Sequence, residues 1–170
     1  MKSSANVSTE RPRASSEEAR HRMQATPQRD TPPELRLRKA FYRLGLRYRT
    51  NVKPLGTSPR RADIVFRQSR VAVFVDGCFW HGCPVHGTWP KANAAFWRNK
   101  IETNRQRDRD TDANLKRAGW ISIRVWEHDI PDRMGNRIAR VVAARSKLLI
   151  GRKPSKHKAK RNVRQLPNAR

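Results

Sequence analysis

The chain reads as a single α/β domain, a small mixed sheet covered by helices. Three features predict it. Arg61-Ala62-Asp63-Ile64-Val65-Phe66 and Val71-Ala72-Val73-Phe74-Val75-Asp76 are β-rich runs joined by only Arg67-Gln68-Ser69-Arg70, short enough for a hairpin. A third β-rich run, Trp120 to Trp126, follows a long charged segment, Asn93 to Arg117, that reads as a helix. Apolar residues recur at helical spacing on both sides of these strands: Leu37, Phe41 and Leu44 before them, and Ile138, Val141, Val142, Leu148 and Leu149 after them. At 170 residues the chain is long enough to bury a core.

Residues 1–14 are polar, with Ser, Arg and Pro, and are expected to be disordered. Ser16 to Met23 suits a short helix with acids in its first turn. Thr31-Pro32-Pro33-Glu34 is a strong helix start: Thr31 suits the N-cap, Pro32 the first helical position, and Glu34 completes a capping box. Gly45 stops that helix. Arg47 to Val52 reads as a short strand, and the hairpin follows. Gly119 ends the long helix, and the last amphipathic helix follows the fourth strand. From Gly151 the chain is a basic low-complexity tail. The folded domain is therefore expected at 15–150, with a disordered segment before it and a basic disordered tail after it.

The formal net charge is +25 and the sequence pI is near 11.7. The tail, residues 151–170, carries eight Lys or Arg and no acid, which leaves +17 for residues 1–150. Such self-repulsion is explained most readily by a polyanionic partner. No apolar run approaches membrane-spanning length. Met1 to Gln24 lacks the apolar stretch of a signal peptide, so the expected location is the cytoplasm.

Phe74-Val75-Asp76-Gly77-Cys78-Phe79-Trp80-His81-Gly82-Cys83-Pro84-Val85-His86 packs both cysteines, two of the five histidines and an acid into one run. Four residues separate Cys78 from Cys83, and His86 follows after two more. Two thiols and a histidine this close can ligate one zinc. In a chain without secretion signals that reading is favoured over a disulfide. A closed tetrahedral site needs a fourth ligand. His128, just past the strand Trp120–Trp126, supplies it if that strand and Val71–Asp76 are parallel neighbours. His81 is the competing ligand. Phe79 and Trp80 would be held out on the rigid knuckle between the ligands.

Asp63 opens one apolar strand and Asp76 ends the next. An acid on such a strand is costly unless it is exposed, paired or bound to a cation. Two acids on adjacent strands form a platform for a hard cation such as Mg²⁺ in phosphodiester chemistry. His81 could then activate water or transfer a proton. The competing reading makes both acids ordinary strand-end residues. Glu34 is explained by its capping position alone. Asn104 and Asp108 share one helix face, which on so charged a helix reads by default as solvated surface.

Taken together, these residues resemble the very-short-patch-repair (Vsr) DNA mismatch endonucleases. The run Phe74–Pro84 is close to that family's hallmark. Supporting matches keep the family's order: Thr31-Pro32-Pro33-Glu34-Leu35, Arg47-Tyr48-Arg49, Arg61 to Phe66, Phe96-Trp97 with Lys100-Ile101, Asn104 with Arg107-Asp108, and Gly119-Trp120 leading to Val125-Trp126-Glu127-His128. The resemblance covers roughly residues 15–145. It implies a restriction-endonuclease-like fold with a structural zinc knuckle. The implied activity is Mg²⁺-dependent nicking of double-stranded DNA on the 5′ side of the thymine in a T:G mismatch, the product of 5-methylcytosine deamination.

By that resemblance Asp63 is the central metal-binding aspartate and Val75 adds its main-chain carbonyl. His81 is the catalytic histidine and Glu34 the acid that supports it. Asn104 and Asp108 fall near the active centre, against the DNA. Phe79, Trp80 and Trp97 match aromatics that wedge into the base stack. Cys78, Cys83, His86 and His128 form the zinc site, which leaves His81 free. The segment 16–25 matches an N-terminal helix that clamps DNA. Some members carry Thr-His where Val75-Asp76 stands here, so Asp76 either adds a carboxylate to the Mg²⁺ or replaces a phosphate-contacting histidine. The expected protein is a monomer, with a cytosine methyltransferase and mismatch-repair proteins as candidate partners. The rival readings are a non-catalytic zinc-braced DNA-binding protein and a nuclease of the same fold with another specificity.

Overall fold

The computed structural model describes Glu17, His21, Pro27 and residues 29–151. The segment expected to be disordered at 1–14, most of the expected helix at 16–23 and the tail beyond Gly151 lie outside them. Within residues 29–151 seven elements follow in order: α1 (Pro32–Arg43), β1 (Arg49–Val52), β2 (Ala62–Phe66), β3 (Val71–Asp76), α2 (Ala94–Arg117), β4 (Ile121–Trp126) and α3 (Pro131–Gly151). The sheet order is β1-β2-β3-β4. The first two pairings are antiparallel and β3–β4 is parallel. This is the mixed sheet with helices that the sequence predicts.

The ends of α1 and α2 follow from local chemistry. Both helices close on a glycine in the left-handed region, Gly45 at φ 66° and Gly119 at φ 76°. After α1, Gly45 N–H donates to Tyr42 O and Leu46 N–H to Phe41 O; after α2, Gly119 N–H donates to Lys116 O and Trp120 N–H to Leu115 O. Each pair satisfies carbonyls that a helix end leaves open. At the start of α1 the capping box is altered. Thr31 Oγ1 donates to Glu34 Oε1 at 2.9 Å, while Glu34 Oε2 accepts the N–H of Asp30, one residue before the cap, at 3.2 Å.

Side chains alternate across the strands. Ile64, Phe66, Val71, Val73 and Val125 face α1 and α3, where they bury Leu37, Phe41, Met134 and Ile138. Gly135 of α3 lets the two helices meet closely, since a Cβ there would stand 3.1 Å from that of Ala40. β1 is shorter than the strand expected at Arg47–Val52. Tyr48 leaves the ladder instead, and its ring packs edge-on against Phe41 and Phe66. The opposite sheet face carries Val65, Ala72 and Phe74 against Leu115 of α2. Asp63, Asp76 and Arg124 share that face by alternation. The active-centre candidates therefore lie between the sheet and α2. No helix among the described residues is long and apolar enough to cross a membrane.

Candidate active site and metal centre

A cleft of about 310 Å³ opens between the sheet and α2. Asp63, Asp76, His81, Asn104, Asp108 and Arg124 line it, and Arg60, Arg61 and Arg107 add positive charge. Asp63 Oδ2 accepts the Val75 N–H at 2.7 Å. The paired positions of β2 and β3 end at Ile64↔Val73, so the Val75 amide is answered by a side chain where the ladder stops. The N–H and C=O of one strand residue point to the same side, so the Val75 carbonyl is on the Asp63 edge. Burial pushes the Asp63 carboxyl up to about 6, against the Val75 N–H, and the Glu34 and Asp76 carboxylates add to the rise. A carboxylate in that state fits a cation. Asp63 and the Val75 carbonyl could together offer oxygen donors to a divalent cation.

His81 is held by the knuckle and by α2. Its Nδ1 lies 2.6 Å from Asp108 Oδ2 and 3.7 Å from Asp76 Oδ1. Burial lowers the His81 pKa, but the Asp108 hydrogen bond and the Asp76 charge outweigh it, and the net shift is upward. Asn104 Nδ2 donates to the Trp80 carbonyl at 2.9 Å and so fastens the knuckle to the same helix. The face of α2 bearing Asn104 and Asp108, solvated by its charge alone but near the active centre by the family resemblance, lines the cleft. Ligand atoms of Asp76, His81 and Asp108 all fall within 4.8 Å of one another.

Two of the expected site acids have partners of their own. Glu34 sits where its capping position predicts. Its buried carboxylate is taken up by the Asp30 N–H, Thr31 Oγ1 and Arg38 Nη2, the last at 3.0 Å. Its charge also bears on the centre, where it raises the Asp63 pKa. Asp76, placed provisionally with the Mg²⁺, has both carboxylate oxygens on Arg124 Nη1, at 2.7 and 2.9 Å. Nothing in the sequence reading named Arg124. Its signal is the single charge within β4, on the strand face that also carries Ser122.

The zinc candidates converge. Because β3 and β4 are parallel, with Asp76 paired to Trp126, the segments that leave them run side by side. Ligand atoms of Cys78, Cys83, His86 and His128 all lie within 4.8 Å of one another. Cys78 Sγ is 3.1 Å and Cys83 Sγ 3.9 Å from His128 Nδ1. Those separations suit ligands arranged around one tetrahedral ion. His81 is not among them. Burial, the neighbouring Cys83 and the Glu127 carboxylate push the Cys78 thiol up to about 12. A metal would have to displace that proton. Two glycines shape the knuckle: Gly82 takes φ 61°, and a Cβ on Gly87 would sit 2.4 Å from Cys83 O.

The sequence profile of the DNA mismatch endonuclease Vsr matches residues 14–86. The type II nicking enzyme V.XorIIP of Xanthomonas oryzae pv. oryzae is 39% identical over 122 residues, 71% of this chain and 87% of that enzyme. The chain belongs to the Vsr family. V.NaeI of Lentzea aerocolonigenes, also a type II nicking enzyme, is 47% identical over 109 residues, 63% of this chain and 66% of the relative. The DNA mismatch endonuclease Vsr of Escherichia coli is 36% identical over 107 residues, 62% of this chain and 66% of the relative.

In this Vsr family member the three expected wedge aromatics form one cluster. Phe79 and Trp80 centroids are 5.1 Å apart, Phe79 and Trp97 5.3 Å, and Trp80 and Trp97 6.0 Å, all edge to face. Phe96 packs on Trp97 at 5.2 Å. All are half-buried, so each ring is braced on one side and open on another.

Proposed function

We propose that this chain is a Mg²⁺-dependent DNA endonuclease that nicks one strand on the 5′ side of the thymine in a T:G mismatch. The observation that carries the reading is the joining of Asp63, Val75 and the His81–Asp108 pair in one cleft edged by Arg60, Arg61 and Arg107. A DNA-binding protein has no need of a buried carboxylate beside a carboxylate-held histidine. The relatives named as nicking enzymes and as a mismatch endonuclease support the same class of reaction.

Asp63 and the Val75 carbonyl are the residues that hold Mg²⁺ in this reading. The ion's contribution when bound is to polarise the scissile phosphate and stabilise the leaving oxygen. The chain's own groups do the rest. Arg60, Arg61 and Arg107 draw the phosphate backbone to the cleft. Asp108 accepts from His81 Nδ1, which leaves Nε2 as the ring atom that exchanges a proton with the reacting oxygen. Asn104 holds the Trp80 carbonyl and thereby the height of the aromatic cluster above the cleft. Phe79, Trp80 and Trp97 enter the stack where a mismatched step is cheapest to open. Cys78, Cys83, His86 and His128 hold a structural zinc that ties the β3 exit to the β4 exit.

The test is nicking of end-labelled duplexes carrying each mismatch in several sequence contexts, with and without Mg²⁺. The expected result is one metal-dependent nick in the thymine strand of the T:G duplex, abolished by Asp63→Ala and by His81→Ala. Tight binding with no metal-dependent nick would favour the non-catalytic rival. A nick in another mismatch, or in a paired duplex, would favour a same-fold nuclease of different specificity.

A further inference from the structure

We infer that Arg124 is a positioning residue of this centre: its guanidinium fastens Asp76 to Asp108 and, through Asp108, fixes the direction of His81. The inference rests on the reading above that His81 carries the proton. Arg124 sits mid-strand in β4, in register with Phe74 of β3, and its guanidinium lies 5.0 Å over the Phe74 ring. All three of its nitrogens are used. Nη1 meets both oxygens of Asp76 at 2.7 and 2.9 Å, Nη2 meets Asp108 Oδ1 at 3.0 Å, and Nε meets Asp112 Oδ2 at 3.1 Å. Ser122 Oγ, 2.5 Å from Asp112 Oδ1, anchors the third acid.

The geometry at Asp108 decides the role. One oxygen is on Arg124 and the other on His81 Nδ1 at 2.6 Å. A carboxylate held at both ends cannot rotate, so the imidazole it accepts from keeps one tautomer and one direction. A planar guanidinium can serve several carboxylates at set angles, whereas a Lys ammonium is a point charge. Without the guanidinium, Asp76, Asp108 and Asp112 would lose the cation they share, and Asp108, held by His81 alone, would be free to turn. The same contacts bear on the cation. With both oxygens on Arg124, Asp76 is a partner of the arginine, and the Mg²⁺ set contracts to Asp63 and the Val75 carbonyl.

The experiment compares full-length wild type with Arg124→Met and Arg124→Lys. In the T:G nicking assay kcat should fall about 10²-fold in Arg124→Met and about tenfold in Arg124→Lys, with KM for the duplex within about threefold. With ¹⁵N-labelled histidine, the His81 Nδ1–H resonance should persist in Arg124→Lys and give way to mixed tautomers in Arg124→Met. If Arg124→Met does not fold, the kcat of Arg124→Lys decides. Wild-type kcat in a folded variant, with an unaltered His81 signal, overturns the proposal. A wild type that does not nick at all would count against the catalytic reading instead, and the His81 resonance would still decide whether Arg124 sets the ring. For the cation, Mg²⁺ is titrated by calorimetry into the complex with already nicked duplex. Asp63→Asn should weaken binding at least about tenfold and Asp76→Asn less than about twofold. Equal weakening in both would return Asp76 to the metal shell.

Discussion

His81 Nδ1 and Asp108 Oδ2 stand 2.6 Å apart across the gap between the knuckle and the middle of α2. The carboxylate both selects the Nδ1–H tautomer and holds the His81 pKa above its ordinary value against burial. Asp108→Asn keeps the shape and removes the charge. The amide also admits the wrong tautomer, so kcat should fall about 10²- to 10⁴-fold with little change in duplex affinity. With the supporting charge gone, desolvation dominates and the His81 limb of the pH–rate profile should move to lower pH. Measuring kcat across pH in both proteins checks this. A limb that stays in place would show that Asp108 does not set the histidine.

Asp63 is costly to the fold that carries it. Its carboxyl is raised to about 6 by burial, then by Glu34 and Asp76, from an ordinary value of 3.8. The folded protein therefore binds more protons than the unfolded chain between those values. Its stability falls as pH rises from about 4 to about 6 and is level above that. The penalty at neutral pH is at most about 3 kcal/mol. Asp63→Asn keeps an oxygen for the Val75 N–H and removes the charge. Without divalent ions it should melt several degrees above wild type at pH 7.5 and together with it near pH 4. Equal melting temperatures at pH 7.5 would contradict the burial argument.

The knuckle makes a separate prediction about metal content. Purified protein should contain one equivalent of zinc by atomic emission. Cys83→Ser and His128→Ala should each lose it. Removing the ion frees the two segments it ties together, at a cost on the order of 3 kcal/mol or more. For a chain of this size that is a fall of about 6–12 °C in Tm. His81→Ala should keep its zinc, because the ring faces Asp108 rather than the thiols. Loss of zinc in that variant would reverse the division of the histidines.

Gly82 links the two sites by its backbone. It lies between His81 and Cys83 at φ 61°, and a Cβ there would meet Ile101 Cγ2 at 2.9 Å. Gly82→Ala therefore meets both left-handed strain, about 1 kcal/mol, and a clash with the buried Ile101 of α2. The knuckle should lift from α2 and take His81 with it. The expected outcome is a lower Tm and a fall in kcat larger than the stability loss accounts for. A variant stable as wild type and fully active would remove Gly82 from the design of the site.

Much of this was legible because it is local. Gly45 and Gly119 mark helix ends through a backbone conformation that glycine adopts at little cost, and the short link Arg67–Arg70 leaves β2 and β3 little choice but to pair. The cysteine spacing shows three zinc candidates, and the parallel β3–β4 pairing brings up His128. What was hidden depends on register between distant elements. Asp108 read from its spacing as one more charge on a charged helix, and only the family resemblance set it near the active centre. Arg124 looked like an interruption in a strand. Its three acids come from β3 and α2, and only the pairing Phe74↔Arg124 sets it among them. Glu34 was legible in its local role. Its position matched a capping residue and an active-centre acid together, and the structure spends its hydrogen bonds on the helix start.

The aromatic cluster carries the last prediction. Phe79, Trp80 and Trp97 meet edge to face with centroids 5.1 to 6.0 Å apart, so each ring stiffens the others. A stiff wedge gives up little side-chain entropy on entering a base stack, and each base–aromatic contact is worth about 1–3 kcal/mol. Phe79→Ala should therefore weaken binding to a T:G duplex by about 5- to 150-fold, with a smaller effect on a paired duplex, which resists opening. Trp97→Ala should do this and also lower Tm, since Trp97 touches Phe79, Trp80 and Phe96 at once. The readout is 2-aminopurine placed beside the mismatch. Its fluorescence should rise when wild-type protein unstacks the step and rise less with Phe79→Ala. If the signal and the preference for T:G are unchanged in Phe79→Ala and Trp80→Ala alike, these rings are packing for the knuckle and the mismatch is sensed elsewhere.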